Sequence, residues 1–137
     1  MFQPVNEGLI AVEPFTARLT AMGQVFQLFR PHQGGRLVKC DPPTSPGAVD
    51  ACGSLSPNGK RLCVTLLNRS ATEAQTIKLI LLGTNEQTAT ARILSVVQLE
   101  PDAVMDERVE RPTHHGANAF SFRLPAMGIA RVEACPE

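Results

Sequence analysis

The sequence predicts a mainly β protein, an antiparallel β-sandwich of jelly-roll type preceded by one helix. Three observations carry this expectation. After Cys40, apolar and polar residues alternate over short runs, as in Leu62-Cys-Val-Thr-Leu66. The runs are separated by turn signals, the strongest being Pro57-Asn58-Gly59-Lys60, where Asn-Gly tolerates the positive φ of a tight hairpin. Seven or more such runs fit within 137 residues, a length that suits one domain with a real core.

Taken in order, residues 1–34 read as a helix-rich N-terminal segment and residues 35–137 as the sandwich. Gly8-Leu-Ile-Ala-Val12 suits a short strand or a turn of helix equally well. Leu19, Met22, Val25, Phe26 and Phe29 recur at three- and four-residue spacings and form one apolar helical stripe, with Thr16 or Thr20 available as its N-cap. Pro31 stops that helix, and Gly34-Gly35 releases the chain into the sheet. Strands are expected near 35–40, 48–56, 61–69, 75–82, 88–98, 118–124 and 127–134. Pairing Ser56 with Arg61 puts Leu55, Leu62, Val64 and Leu66 on one face of a half-buried sheet. Cys52, Ser54, Cys63 and Thr65 then lie on the other. Asp41-Pro-Pro-Thr-Ser-Pro-Gly47 is too rich in proline for a central strand. Glu100 to Asn118, charged and interrupted by Pro101, Pro112 and Gly116, reads as a long surface loop.

Charge and motifs exclude several function classes. The 13 basic and 13 acidic side chains balance, with no basic stripe, so neither a nucleic acid nor an anionic membrane is an expected partner. No run of about twenty apolar residues suggests a transmembrane helix. Met1-Phe-Gln-Pro-Val-Asn-Glu7 lacks the pattern of a secretory signal, which makes a cytoplasmic location the expectation. Cys40, Cys52, Cys63 and Cys135 form no CxxC pair and match no zinc spacing. Cys52 and Cys63 sit diagonally across the predicted hairpin, poor geometry for a disulfide, so free thiols are expected.

Reactive constellations are equally sparse. Ser54, Ser56 and Ser121 lie in no Gly-x-Ser-x-Gly elbow, and Gly34-Gly35 is no phosphate loop. The adjacent side chains of His114 and His115 point opposite ways on an extended segment and do not share a metal. Asp102, Asp106, Glu107 and Glu110 read as a solvated loop face rather than a cation site. His32 reads as structural, at the helix C-terminus or on a loop carbonyl. The chain has neither Trp nor Tyr, and of its six Phe, Phe120 and Phe122 point inward from a strand, so it offers no flat aromatic platform for a sugar. No catalytic residue, cofactor or metal is assigned.

Three stretches resemble the C-terminal part of the family 51 glycoside hydrolases, the α-L-arabinofuranosidases. Gln3-Pro-Val-Asn-Glu-Gly-Leu-Ile10 with Thr20 to Gly34 is similar to the last strand and helix of that family's catalytic barrel. Ala51 to Ser70 resembles the first hairpin of its C-terminal sandwich, and Phe120 to Val132 resembles the closing strands. The resemblance implies a retaining glycosidase as parent, with an acid/base and a nucleophile about 5 Å apart. In the family both lie on earlier barrel strands. Of the two Asn-Glu pairs here, Asn6-Glu7 falls where the last barrel strand would be and Asn85-Glu86 at a turn, so neither takes the acid/base role.

The expected function is therefore a non-catalytic accessory domain, with a structural or interaction role beside a barrel that acts on arabinose-containing polysaccharides. A carbohydrate-binding sandwich and a small stand-alone interaction domain are the alternatives. Detached from its barrel, the segment 1–30 would expose a strand edge and the stripe Leu19, Met22, Val25, Phe26 and Phe29, and self-association through it is expected.

Overall fold

The computed structural model describes residues 8–41, 48–83, 88–96, 104–116 and 118–135. The first element among the described residues is a hairpin, β1 (Ile10–Glu13) and β2 (Thr16–Leu19), followed by α1 (Ala21–Phe29) and a 3-10 turn (Arg30–His32). Nine strands follow: β3 (Arg36–Val38), β4 (Val49–Leu55), β5 (Leu62–Asn68), β6 (Gln75–Ile80), β7 (Ala89–Ser95), β8 (Asp106–Glu110), β9 (Thr113–His114), β10 (Ala119–Leu124) and β11 (Ile129–Ala134). The mainly β, antiparallel expectation holds.

The strands form a six-stranded sheet in the order β3-β4-β5-β11-β7-β8, a three-stranded sheet β6-β10-β9, and the separate β1-β2 hairpin. The β4–β5 register pairs Leu55 with Leu62 and Ser54 with Cys63, and Ser56 N donates to Arg61 O at 2.8 Å, as the Asn-Gly turn demands. The two larger sheets enclose one core. Val49, Val64, Leu66, Ala91, Ile93, Ala130 and Val132 come from the large sheet, and Ile77, Phe122 and Leu124 from the small one. Each is at alternate positions of its strand, so period-two patterning is what places it there.

Among the described residues, one polar side chain lies fully inside. Asn68 donates through Nδ2 to Glu73 O and Pro125 O, both at 2.8 Å, and its Oδ1 accepts from Ser70 N at 3.0 Å. It thereby ties the turn after β5 to the turn between β10 and β11, and its amide is satisfied despite zero exposure.

The structure corrects three expectations. The predicted loop between Glu100 and Asn118 contains β8 and β9, and β8 pairs in register with β7 from Ala91↔Glu110 to Ser95↔Asp106. Its sequence, Asp-Glu-Arg-Val-Glu, hides this because an exposed edge strand needs no apolar alternation and gains from charge. The helix-rich segment begins with a hairpin, which settles Gly8–Val12 as turn and strand rather than helix; residues 1–7 lie outside the described set. The third correction concerns the six-stranded sheet, which is not half-buried around β4 and β5. Ser54, Cys63 and Thr65, expected on the open face, are buried beneath α1 and the 3-10 turn.

Candidate interaction surface

The N-terminal hairpin and helix are held to the sandwich on one side and are bare on the other. Thr20, not Thr16, caps α1: its Oγ1 accepts from Gly23 N at 3.1 Å and donates to Gly8 O at 2.6 Å, joining cap and hairpin. Gly23 is required by close approach, since a Cβ there would sit 2.0 Å from the Leu9 carbonyl oxygen.

Three contacts fasten the helix. Leu28, 1% exposed, enters a small apolar cluster with Leu94 and Ile129, with Val25 and Met105 packed against it. The Gln24 side chain makes a two-way bond with the Met105 backbone, donating to its O at 3.0 Å and accepting from its N at 2.8 Å. Arg131, reaching across from β11, donates through one nitrogen to the carbonyls of Leu28 (3.0 Å) and Gln27 (3.4 Å). A guanidinium there satisfies carbonyls that the helix end leaves open and opposes the negative end of the helix dipole. Its other terminal nitrogen pairs with Glu133 at 2.7 Å, while its buried Nε has no partner among the described residues.

His32 fastens the turn that follows. Its Nδ1 lies 2.8 Å from Ser54 Oγ, and its Nε2 lies 2.7 Å from Thr65 Oγ1 and 3.3 Å from Cys63 Sγ. Burial lowers the His32 pKa from 6.5, the Arg131 guanidinium lowers it further, and Glu133 opposes both. Burial is also the main reason the Cys63 thiol is pushed up to about 11. The Ser-His contact in this cluster has surroundings unlike those of an activated nucleophile among the described residues. Hydroxyls occupy both imidazole nitrogens, no carboxylate orients the ring, and the neighbouring thiol stays protonated. Its work is to pin the turn, which is the structural role the sequence suggests for His32, made with side chains rather than a carbonyl.

The outward side is apolar. Of the stripe named from sequence, Met22 is 49% exposed, Phe26 60% and Phe29 38%, whereas Leu19 and Val25 are half-buried. In the hairpin Ile10 and Val12 point outward from one face, and Phe15 at the tip is 99% exposed. The opposite hairpin face is polar, with Thr16 donating to Glu13 at 3.3 Å and Arg18 pairing with Glu13 at 4.0 Å. An amphipathic hairpin that shows its apolar face to solvent has the pattern of a half-buried sheet without its cover. Sequence spacing found this stripe but missed Leu28 and Arg131, which decide how the helix is oriented. Leu28, at i+3 from Val25, was the available signal.

On the helix side of the large sheet, Thr88, Thr90, Arg92, Val109, Arg131, Glu133 and Cys135 line a cleft of about 340 Å³. Arg92 is paired with Glu107 at 3.1 Å and Arg131 with Glu133, and no aromatic ring lines the cleft among the described residues. No group of three metal-ligating side chains occurs among the described residues. His115 Nε2 meets Ser121 Oγ at 2.6 Å, while the His114 ring packs tilted against Phe120 with ring centres 5.0 Å apart, so the two histidines face different partners. All four cysteines are free, with Cys63 buried and Cys52 and Cys135 exposed. Asn6-Glu7, Asn85-Glu86 and Asp102 lie outside the described residues. No helix among the described residues is long and apolar enough to cross a membrane.

A β-sandwich with this strand order, preceded by a docked helix, is the fold of a portion of several larger glycoside hydrolases. No family model and no curated protein matches the sequence; the likeness is to solved structures, and among these to arabinofuranosidases. The α-L-arabinofuranosidase of Thermotoga maritima, solved with arabinose, superposes on 92% of this chain with a TM-score of 0.72 and 21% identity, and 31% of that enzyme is covered. The GH51 arabinofuranosidase of Xanthomonas axonopodis pv. citri superposes on 92% with a TM-score of 0.70 and 16% identity, and 28% of it is covered. CelM2, a bifunctional glucanase-xylanase from a metagenome library, matches 85% of the chain with a TM-score of 0.66 and 16% identity, and 22% of it is covered. At such identities the likeness is one of fold. The chain spans less than a third of the length of these enzymes.

Proposed function

We propose that this chain acts as a non-catalytic accessory domain of the kind built into α-L-arabinofuranosidases, bracing a larger catalytic body through its N-terminal hairpin and helix. The observation that carries the reading is the two-sided character of α1. Leu28, Gln24 and the carbonyls of Gln27 and Leu28 are fixed to the sandwich, and Met22, Phe26 and Phe29 are left bare beside an uncovered apolar hairpin face. A surface of that kind needs a partner, and in the arabinofuranosidases of similar fold some two-thirds of the chain lies beyond the part matched here. Six of the eight carboxylates among the described residues are held in ion pairs. Glu13, Asp41, Asp50, Glu107, Glu110 and Glu133 each form an ion pair with a Lys or Arg.

Carbohydrate binding is the weaker reading, because the cleft lacks a ring on which a sugar face could stack. The test is a pair of assays on the purified chain: turnover of a chromogenic arabinofuranoside, and titration calorimetry with arabinan oligosaccharides. The accessory reading expects neither turnover nor heat of binding. Turnover would overturn it, and saturable binding of the oligosaccharide would put the carbohydrate-binding module in its place.

A further inference from the structure

We propose that β1 is a self-pairing edge, through which two copies of this chain join their hairpins into one four-stranded antiparallel sheet about a two-fold axis at Ala11. The inference starts from hydrogen-bond phase. Thr20 N donates to Leu9 O at 3.1 Å, which makes Leu9 and Thr20 a bonded pair. Bonded and non-bonded pairs alternate along an antiparallel ladder, so Ala11↔Arg18 and Glu13↔Thr16 are bonded, while Ile10↔Leu19 and Val12↔Ala17 are not. The backbone N–H and C=O groups of Ile10 and Val12 therefore point away from β2. No strand among the described residues receives them, because the hairpin is a sheet of two strands only. A two-stranded hairpin alone is marginal in water, and a further strand adds to the support that α1 already gives this one.

The edges differ in how they are defended. Strands β2, β3, β6 and β8 each contain Lys or Arg, and β9 is two residues long. Strand β1, Ile-Ala-Val-Glu, contains no basic residue and no Pro. Basic residues, proline and short length are the usual devices against edge pairing; β1, four residues long and ending in Glu13, lacks the basic residue and the proline.

A second copy is the occupant that the register favours. With the axis at Ala11, Ile10 of each copy forms a bonded pair with Val12 of the other, giving four main-chain bonds. Ala11 meets Ala11 in the close, non-bonded position, where only a small side chain fits easily. The alternative two-fold pairing of β2 with itself centres on Arg18 and sets two guanidinium groups opposite each other, which disfavours it. Pairing β1 of one copy with β2 of the next is head-to-tail and gives a ring or an open filament rather than a two-fold dimer. Of the two-fold pairings, β1–β1 about Ala11 is the one that sets no like charges opposite each other and bonds both outward residues of the strand. It stands independently of the accessory-domain reading, since it rests on the hairpin ladder alone.

Sedimentation equilibrium of the whole chain across a concentration series tests it, with two variants. The chain is expected to move reversibly between 14.8 kDa and twice that mass. Val12→Pro removes an outward N–H from each copy without touching the internal ladder, and is expected to abolish the dimer while leaving the far-ultraviolet dichroism unchanged. Ala11→Glu places a carboxylate beside Arg18 within the copy but opposite its own kind across the axis, and is expected to raise the dissociation constant roughly fivefold. As a second readout, an isotope-filtered experiment on mixed labelled and unlabelled chains should show the Ala11 methyl of one copy close to Ala11 of the other. A chain that stays monomeric throughout, a dimer untouched by both variants, or open-ended assembly in place of a dimer would each overturn the proposal.

Discussion

The sandwich core and the N-terminal hairpin contain similar residues in opposite circumstances. Phe120 and Phe122 on β10 are 2% and 6% exposed, each held between two sheets. Phe15, at the tip of the β1–β2 hairpin, is 99% exposed, and Phe26 on α1 is 60% exposed. The sandwich is thus closed by its own strands, whereas the hairpin and the outer helix face await something to close them. The sandwich supplies its own stability, and the segment before it is where the proposed association rests.

The sharpest way to break that comparison is to truncate one phenylalanine from each region. Phe120→Ala is expected to cost about 3–5 kcal/mol, by lost burial and a residual cavity beside Leu81 and Ala134. Phe15→Ala should shift stability by no more than about 0.5 kcal/mol. Urea denaturation of both variants checks this, and comparable losses would mean that the hairpin is packed after all.

Next in size is Asn68→Ala. It leaves the carbonyls of Glu73 and Pro125 and the N–H of Ser70 without their partner, at an expected cost of about 2–3 kcal/mol in thermal unfolding. Arg131→Met tests the junction between the two regions. It keeps the buried stem but uncovers the carbonyls of Gln27 and Leu28 and frees Glu133 from one of its two arginines. About 2 kcal/mol is the expected loss, partly offset because the buried Nε has no partner to lose. The loss should appear as faster amide exchange in α1, with β5 and β7 little changed.

The smallest effect is the pH dependence of the same junction. His32 is held neutral in the fold, with its pKa lowered by burial first and by Arg131 second. The unfolded chain therefore binds the proton more tightly than the folded one. This contribution to stability is complete above pH 6.5 and is lost as the pH falls from there toward the lowered folded value. Denaturant titrations across that window should show stability rising with pH, and His32→Gln should flatten the slope.

What could be read from the sequence divides along the same line. Strands β4, β5, β7, β10 and β11 lie within a few residues of expectation because a two-sided core imposes strict alternation, and the Asn58-Gly59 turn fixes the β4–β5 register. β8 escaped because an exposed edge strand carries charge rather than alternation. Ser54, Cys63 and Thr65 looked solvent-facing because they are small and polar, yet the imidazole of His32 satisfies them from a distant part of the chain. No local pattern announces a partner that lies 22 to 33 residues away. The apolar stripe of α1 was legible in its spacing. Which residues of it would be covered was not, because Leu28 and Arg131 decide that through tertiary contacts.

Residue-resolved amide exchange of the whole chain, at the lowest and the highest accessible concentrations, tests the contrast most directly. The account predicts that amides of Val64, Ile93, Phe122 and Val132 exchange only with global unfolding at either concentration. Those of Ile10 and Val12 should exchange freely in dilute solution and become protected as concentration rises. Hairpin amides already as slow as the sandwich in the most dilute sample, with no dependence on concentration, would contradict it.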